Sequence, residues 1–379
     1  MKEELLTMLD NVIRDAAQQL INELESGDAQ RIEHVMTEYH KLNYTRGQEP
    51  EADDYQDQVF CDLYLVRYGY AYAFEYSVIY DAVLRSYAAA GEEINGDAIF
   101  GLSSLACGSM IDAWGLAYAA ARIHDEAPGV LPEDLRLTYH GTDMVKWAFL
   151  FAGNTEGDQT LNNCFMRRPI TRELGISVEE FLRGEKNYHW LGAMCFAKFL
   201  NEVSDEIRTG IEESLRESVR NGCFAEDNRY NRREYYICIS HSASSVDNNG
   251  EGEQNLSEVA RRVINALNED NVFDVNSRVM DCSPYCGKCD RNNNVTGLVS
   301  DDGEIPVYRF NAPYLNERND GIYGSEIARM NNDFCRNTEV NDLVNRFMEL
   351  MGQHVNRPRK PISRVHYSRF QVIKLTRRA

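Results

Sequence analysis

The apolar positions near the start of the chain fall on helical spacing. Leu5, Leu6, Leu9, Val12, Ile13, Ala16, Leu20, Ile21 and Leu24 recur three and four residues apart, the signature of one buried helix face. Gly27 and Asp28 interrupt the stripe, so the pattern predicts two helices over residues 3–45. Residues 47–54 are polar and contain Pro50, which reads as a loop. From about Tyr55 to Ala90 a long aromatic helix is predicted, with Tyr64, Tyr68, Tyr72, Tyr76 and Tyr80 at strict i,i+4 spacing. Such a stripe is usually core packing. Arg67 and Glu75 lie in the same helix, and once enclosed they need partners or a ligand.

After a polar, Gly-containing stretch at 91–96 the signal changes. Residues 98–105 form a short apolar run, followed by the small residues Ala106, Cys107, Gly108 and Ser109 and then by a helical pattern over 110–124. A second short strand at 135–140 ends on Gly141, Thr142 and Asp143. Strand, tight turn, helix, strand and acid make up the grammar of a βαβ unit. Further on, helices are expected at 178–184 and 192–220, and a strand at 235–239 ends on Ser240, His241 and Ser242. A helix at 256–267, a strand within 272–280, a helix at 333–351 and one or two terminal strands over 364–375 complete the pattern. The expectation is an α/β fold: a Rossmann-like, mostly parallel sheet with helices on both faces, spanning 95–379 and preceded by a helical portion at 1–94. A Cys-containing insertion falls near 281–300.

Composition narrows the setting. With 379 residues, 43% of them hydrophobic, the chain can bury a substantial core. Mean hydropathy is −0.50, no apolar stretch reaches the ~20 residues of a membrane helix, and the acidic start lacks the form of a secretory signal. A cytoplasmic protein that does not enter membranes is therefore expected. Among the ten cysteines, Cys61, Cys107, Cys195 and Cys238 sit inside apolar patterns and read as free buried thiols. Cys282, Cys286 and Cys289 have a spacing that can grip zinc, provided Cys335 or a histidine supplies a fourth ligand; otherwise they form a loop with free thiols. The net charge of −20 argues against chain-wide affinity for nucleic acid. The local exception is Arg357 to Arg378, with eight Lys or Arg residues and no acid, which reads first as a solvated basic terminal hairpin.

Chemistry concentrates at the βαβ turn. Small residues between a buried strand and a helix let the backbone approach a ligand, and the helix N-terminus offers unpaired N–H groups. An acid ending the next strand can take ribose hydroxyls. The stretch from Leu102 through Ala106, Cys107, Gly108, Ser109 and Met110 to Asp112, with Asp143 and the following Trp147, resembles motifs I and II of class I S-adenosylmethionine (SAM)-dependent methyltransferases. The terminal strand resembles the last, antiparallel strand of that sheet. The pattern departs from the family at Ser104, Ala106 and Met110, where an acid and two glycines are usual.

The resemblance implies SAM as cofactor, bound by Ala106, Cys107, Gly108, Ser109, Asp112 and Asp143, with Ser240 and Ser242 facing the substrate and the Tyr68/Tyr72 helix as lid. His241 is the first candidate for a catalytic base, with His140 second; a packed histidine is the alternative reading for His241. The acidic charge disfavours nucleic acid as the acceptor and leaves a small molecule or a protein. Methyl transfer to a group that is already nucleophilic needs no acid–base pair. The rival reading is a non-catalytic, Rossmann-like scaffold or ligand-sensing interaction protein, which Ala106 and Met110 favour and Asp112 and Asp143 disfavour.

Overall fold

The computed structural model describes residues 1–43, 50–89, 99–133, 135–151, 171–184, 191–222, 224, 234–241, 251–277, 279, 305, 307–312, 330, 333–334, 338–356 and 366–378. Eight strands form one sheet: β1 (Ile99–Leu105), β2 (Arg136–Asp143), β3 (Thr171–Leu174), β4 (Leu191–Ala197), β5 (Glu234–His241), β6 (Phe273–Asn276), β7 (Tyr308–Ala312) and β8 (His366–Arg377). Their order is β3-β2-β1-β4-β5-β8-β6, with β7 also paired to β8. The pairs among β1 to β5 are all parallel, whereas β8 runs antiparallel to β5, β6 and β7. The order 3-2-1-4-5 is that of a doubly wound nucleotide-binding sheet. The antiparallel last strand, wedged between β5 and β6, is the feature expected from the methyltransferase resemblance.

Strand side chains alternate between two cores. Phe100, Leu102, Tyr139, Cys195, Tyr236, Cys238, Phe370 and Val372 face one way. They meet the helices α1 (Lys2–Glu25), α2 (Ala29–Leu42), α3 (Gln58–Ala89), α4 (Ile111–Glu126) and α8 (Thr338–His354). Leu105, Met194, Phe196, Ile237, Ile239 and Ile373 face the other way, onto α5 (Val178–Arg183), α6 (Asp205–Arg220) and α7 (Glu251–Leu267). The helical N-terminal portion thus shares one continuous core with the sheet. A short break with Gly27 at φ 71° separates α1 from α2, whose first amides are capped by Asp28 through Gln30 N–H at 2.8 Å. Arg122, fully buried, bonds Asp81 on α3 at 3.0 Å and Glu126 at 2.9 Å. Lys2 joins the same network through Glu126 and Asp333, so charges tie α1, α3 and α4 together.

Two expectations need correction. Residues 191–197 are strand β4, not the start of a helix; α6 begins only at Asp205, capped by Ser204. Both faces of β4 are covered, so its apolar run lacks the alternation that separates strand from helix. The short β3 and β7 escaped the pattern altogether. The described part of the basic terminal segment is no solvated hairpin: His366–Arg377 is an inner strand, as the reading of a last antiparallel strand expects. Lys374 bonds Glu234 at 3.0 Å, Arg377 the Phe224 carbonyl at 2.8 Å and Arg378 Asp274 at 2.8 Å. Cys61, Cys107, Cys195 and Cys238 are free and buried, as expected. Among the described residues no helix is long and apolar enough to cross a membrane.

Candidate ligand cleft at the switch point

The sheet changes winding direction between β1 and β4, where open α/β sheets place their ligands beyond the strands' carboxyl ends. The β1–α4 turn at this point is unusual in backbone. Ala106, Gly108 and Met110 all adopt left-handed conformations, with φ of 57°, 55° and 62°. Two of the three carry a side chain and bear the associated strain. The turn is held by the Cys107 amide on the Thr142 carbonyl at 2.9 Å, the Met110 amide on the Cys107 carbonyl at 2.9 Å, and the Phe151 amide on the Ser109 carbonyl at 2.8 Å. Gly141 on the adjoining strand must lack a side chain, because a Cβ there would stand 2.8 Å from Tyr139 and 2.9 Å from the Cys107 sulfur.

Asp143, ending β2, closes the turn. Its Oδ2 accepts the Gly108 amide at 2.7 Å and its Oδ1 accepts the Val145 amide at 2.8 Å. Burial raises its pKa, while those amides and the Trp147 indole pull the other way. Two amides thus share the Asp143 carboxylate between its two oxygens, and the Trp147 indole takes up part of the remaining acceptor capacity. A carboxylate at a strand end is the type of group that can accept from a hydroxyl.

An aromatic wall covers this mouth. The Trp147 ring lies against Gly108, so that a Cβ added there would come within 3.2 Å of it. Tyr55 and Tyr64 pack on Trp147 with centroids at 4.5 and 5.0 Å. Tyr64 continues to Tyr68 at 5.1 Å, which stacks on Tyr72 at 5.0 Å. Tyr64, Tyr68 and Tyr72 are half-buried, whereas Tyr76 and Tyr80 of the same stripe are buried. The stripe is thus core toward its C-terminal end and half-buried toward its N-terminal end, where it packs on Trp147 beside the β1–α4 turn.

Beyond Tyr72 the wall reaches a buried polar cluster. Glu75 on α3, fully buried, receives Lys198 Nζ on both oxygens at 2.8 Å. Ser240 Oγ donates to the same carboxylate. Lys198 follows β4 directly, sits at φ 60°, donates its amide to the Ser240 carbonyl at 3.0 Å and rests its ammonium 4.4 Å above the Tyr72 ring. The partner that an enclosed Glu75 requires is thus Lys198. Arg67 lies over Tyr68 at 5.0 Å and bonds Asn43.

The residues singled out from the sequence are distributed unevenly. Ala106 and Gly108 share the β1–α4 turn, which Asp143 closes, Tyr68 and Tyr72 stack on each other along α3, and Ser240 bonds the buried Glu75. Cys107 is buried, and burial drives its thiol pKa well up; Ser109 is also buried. Asp112 points into the core, where its carboxylate takes the Tyr139 hydroxyl at 2.8 Å and Tyr80 at 3.4 Å, and burial raises its pKa to about 6. His241 turns to the opposite face of the sheet from Ser240, with Nε2 2.7 Å from Gln371 Oε1. Burial lowers its pKa to about 4, so the ring is neutral, and the structure separates it from the cleft wall. His140 pairs with Glu173 at 3.0 Å and packs on Phe181, on that same far face. Ser242, Cys282, Cys286 and Cys289 lie outside the described residues, and among those described no cluster of three His, Cys, Asp or Glu could hold a metal. Lys198 and the role of Trp147 escaped the sequence reading. The charge of Glu75 in an apolar helix was the available signal; its partner was hidden in a stretch misread as helix.

No protein-family model matches the chain, and no curated protein matches it in sequence. Among solved structures it is similar to the plantazolicin methyltransferase BpumL in complex with SAH, at 10% identity over 100% of both chains with a TM-score of 0.29. It is similar also to loganic acid methyltransferase with SAH, at 7% identity, 83% of this chain and 96% of that one, TM-score 0.34. A third is phosphoethanolamine N-methyltransferase 2 of Haemonchus contortus in complex with S-adenosyl-L-methionine, at 9% identity, 75% of this chain and 50% of that one, TM-score 0.26. Likenesses this distant say nothing of the site residues or substrate of this chain. The strand order stands on the sheet itself.

Proposed function

We propose that the protein binds SAM at the switch point and transfers its methyl group to a small-molecule or protein acceptor. The observation that carries this reading is the contact of the Gly108 amide with Asp143 across the carboxyl ends of β1 and β2. A close-approach turn and a carboxylate side by side at the strands' carboxyl ends support the reading. Asp143 would hold the ribose hydroxyls, while Ala106 and Gly108 would border the nucleoside. When bound, the cofactor's sulfonium supplies an activated methyl group. The chain's own contribution is then alignment and exclusion of water, through the wall of Tyr64, Tyr68, Tyr72 and Trp147. Calorimetry with SAM and with its demethylated product SAH tests the reading, and absence of heat for either at millimolar ligand refutes it.

A second reading is favoured by the Trp147 ring resting on Gly108 and by the complete burial of Met110. In that reading the turn is filled by the protein's own side chains and the sheet is a scaffold. The same calorimetric result separates the two, since a scaffold with a filled turn binds neither compound.

A further inference from the structure

Trp147 already occupies the two elements on which the cofactor contact would depend. A Cβ built on Gly108 would stand 3.2, 3.7 and 3.8 Å from Cζ2, Cε2 and Cη2 of its ring. The face of the turn that a nucleoside would approach is therefore in contact with an indole. The indole N–H makes no well-aligned hydrogen bond among the described residues, yet its dipole lies near enough to Asp143 to favour the ionised carboxylate. A flat heteroaromatic ring bearing an N–H thus rests against both the close-approach glycine and the strand-end acid. The ring is carried on a strap that follows β2. Residues 144–151 contain neither helix nor strand; Met144, Lys146 and Ala148 are exposed, while Val145, Trp147 and Phe149 are half-buried. The strap is pinned through the Val145 amide to Asp143, the Ala148 amide to the Tyr55 carbonyl and the Phe151 amide to the Ser109 carbonyl, each at 2.8 Å.

We propose that Trp147 is an autoinhibitory plug, a side chain of the protein that competes with the cofactor and must leave Gly108 before a nucleoside can bind there. The inference deepens the SAM reading and rests on it. None of the three pinning bonds uses an atom of Trp147, so the ring can change rotamer while the strap stays in place. A buried N–H without a well-aligned acceptor is costly to keep, which favours release. The Tyr55 and Tyr64 rings, with centroids at 4.5 and 5.0 Å, favour retention. The two tendencies oppose each other at one side chain, as a displaceable contact requires. The share of Trp147 in the cleft wall then belongs to the liganded state, and its contact with Gly108 to the unliganded one.

Calorimetry of the full chain with SAH tests the plug. A binding-competent state that is the minor one, at about 0.1–10% of the population, weakens the apparent affinity by that fraction, and deleting the competitor restores it. Trp147→Ala should therefore bind SAH about tenfold more tightly than the parent, or better. If Trp147→Ala fails to fold, Trp147→Leu, smaller than the indole and without an N–H, carries the same comparison. In a second arm the emission of Trp147 is isolated by subtracting the spectrum of Trp147→Phe. As SAH saturates the parent, this component should move to the red and become more open to quenching by acrylamide, because the ring leaves its packed position. SAH binding that is unchanged or weaker without the indole would overturn the inference, and so would a Trp147 component that stays fixed or becomes less quenchable on binding. Either result with a parent that binds SAH removes the plug and leaves the SAM reading standing. Absence of SAH binding by parent and variant alike removes both.

Discussion

Replacement of Gly115 by alanine probes the contact on which the cleft wall depends. Gly115 lies in α4 where it crosses α3, and a Cβ at this position would stand 2.7 Å from the Tyr76 Cβ, 3.1 Å from the Tyr76 carbonyl carbon and 3.2 Å from the Ser77 nitrogen. All three are backbone or backbone-attached atoms, so no side-chain rotation relieves the clash. Carbon atoms pack best at about 3.5–4.0 Å, and the helices must therefore part by roughly 1 Å. Overpacking of this kind costs about 1–3 kcal/mol, against which alanine recovers up to about 1 kcal/mol of helix propensity. Gly69→Ala supplies the control. Its new methyl would meet only Ile13, at 2.9 Å from the terminal Cδ1, the movable end of a side chain, so the propensity gain roughly offsets the contact. Urea unfolding followed by circular dichroism should show a lower midpoint for Gly115→Ala and a nearly unchanged one for Gly69→Ala. Because α3 also bears Tyr64, Tyr68 and Tyr72, Gly115→Ala should weaken SAH binding as well. Equal midpoints for the two variants would refute the close-packed crossing.

Asp143→Ala should weaken SAH binding by about 1.5–3 kcal/mol in calorimetry, the loss expected for hydrogen bonds to a charged group; an unchanged affinity would remove Asp143 from the site. Arg122→Met, which strips a buried guanidinium from Asp81 and Glu126, should cost about 3–5 kcal/mol in unfolding free energy, and a change under 1 kcal/mol would show the network to be dispensable. Asp62 is buried with Gln58 as its hydrogen-bond donor, and burial raises its pKa from 3.8 to about 7. Since the folded value is the higher one, its contribution to stability is present below about pH 4 and is lost as pH rises through about 7. Asp62→Asn should therefore be more stable than the parent at pH 8, with the difference shrinking toward pH 4 in parallel urea titrations; a constant difference across that range would contradict the burial argument.

Much of the architecture is legible in the residues themselves. The period of Leu5, Leu9, Ile13, Leu20 and Leu24 specifies α1 because one helix face must be apolar to pack. The run into Ala106 and Gly108, followed by a helix and then by Asp143, specifies a βαβ unit because few other arrangements use a small-residue turn and a terminal acid in that order. Local chemistry likewise identifies Asp143 and Gly108 as neighbours at a strand end. It does not determine which face a residue takes once both faces of a strand are buried. Ser240 and His241 are adjacent in sequence, yet one joins Glu75 and the other Gln371, since successive side chains in a strand point oppositely.

Tertiary structure decided the rest. Residues 191–197 are a strand because parallel neighbours on both sides take their backbone hydrogen bonds, and an apolar run buried on both faces carries no period to reveal this. The basic tail became an inner strand because β5 on one side and β6 and β7 on the other supply its partners. Asp112 was withdrawn from the cleft by two tyrosine hydroxyls, one from α3 and one from β2. Lys198 met Glu75 across 123 residues, a distance in sequence at which periodicity says nothing. The sequence by itself determined α1 and the β1–α4–β2 unit with its small-residue turn, because these depend on neighbours within a few residues. Only the packed fold determined which charges share a pocket, because burial forces each enclosed charge to find a partner wherever the chain places one.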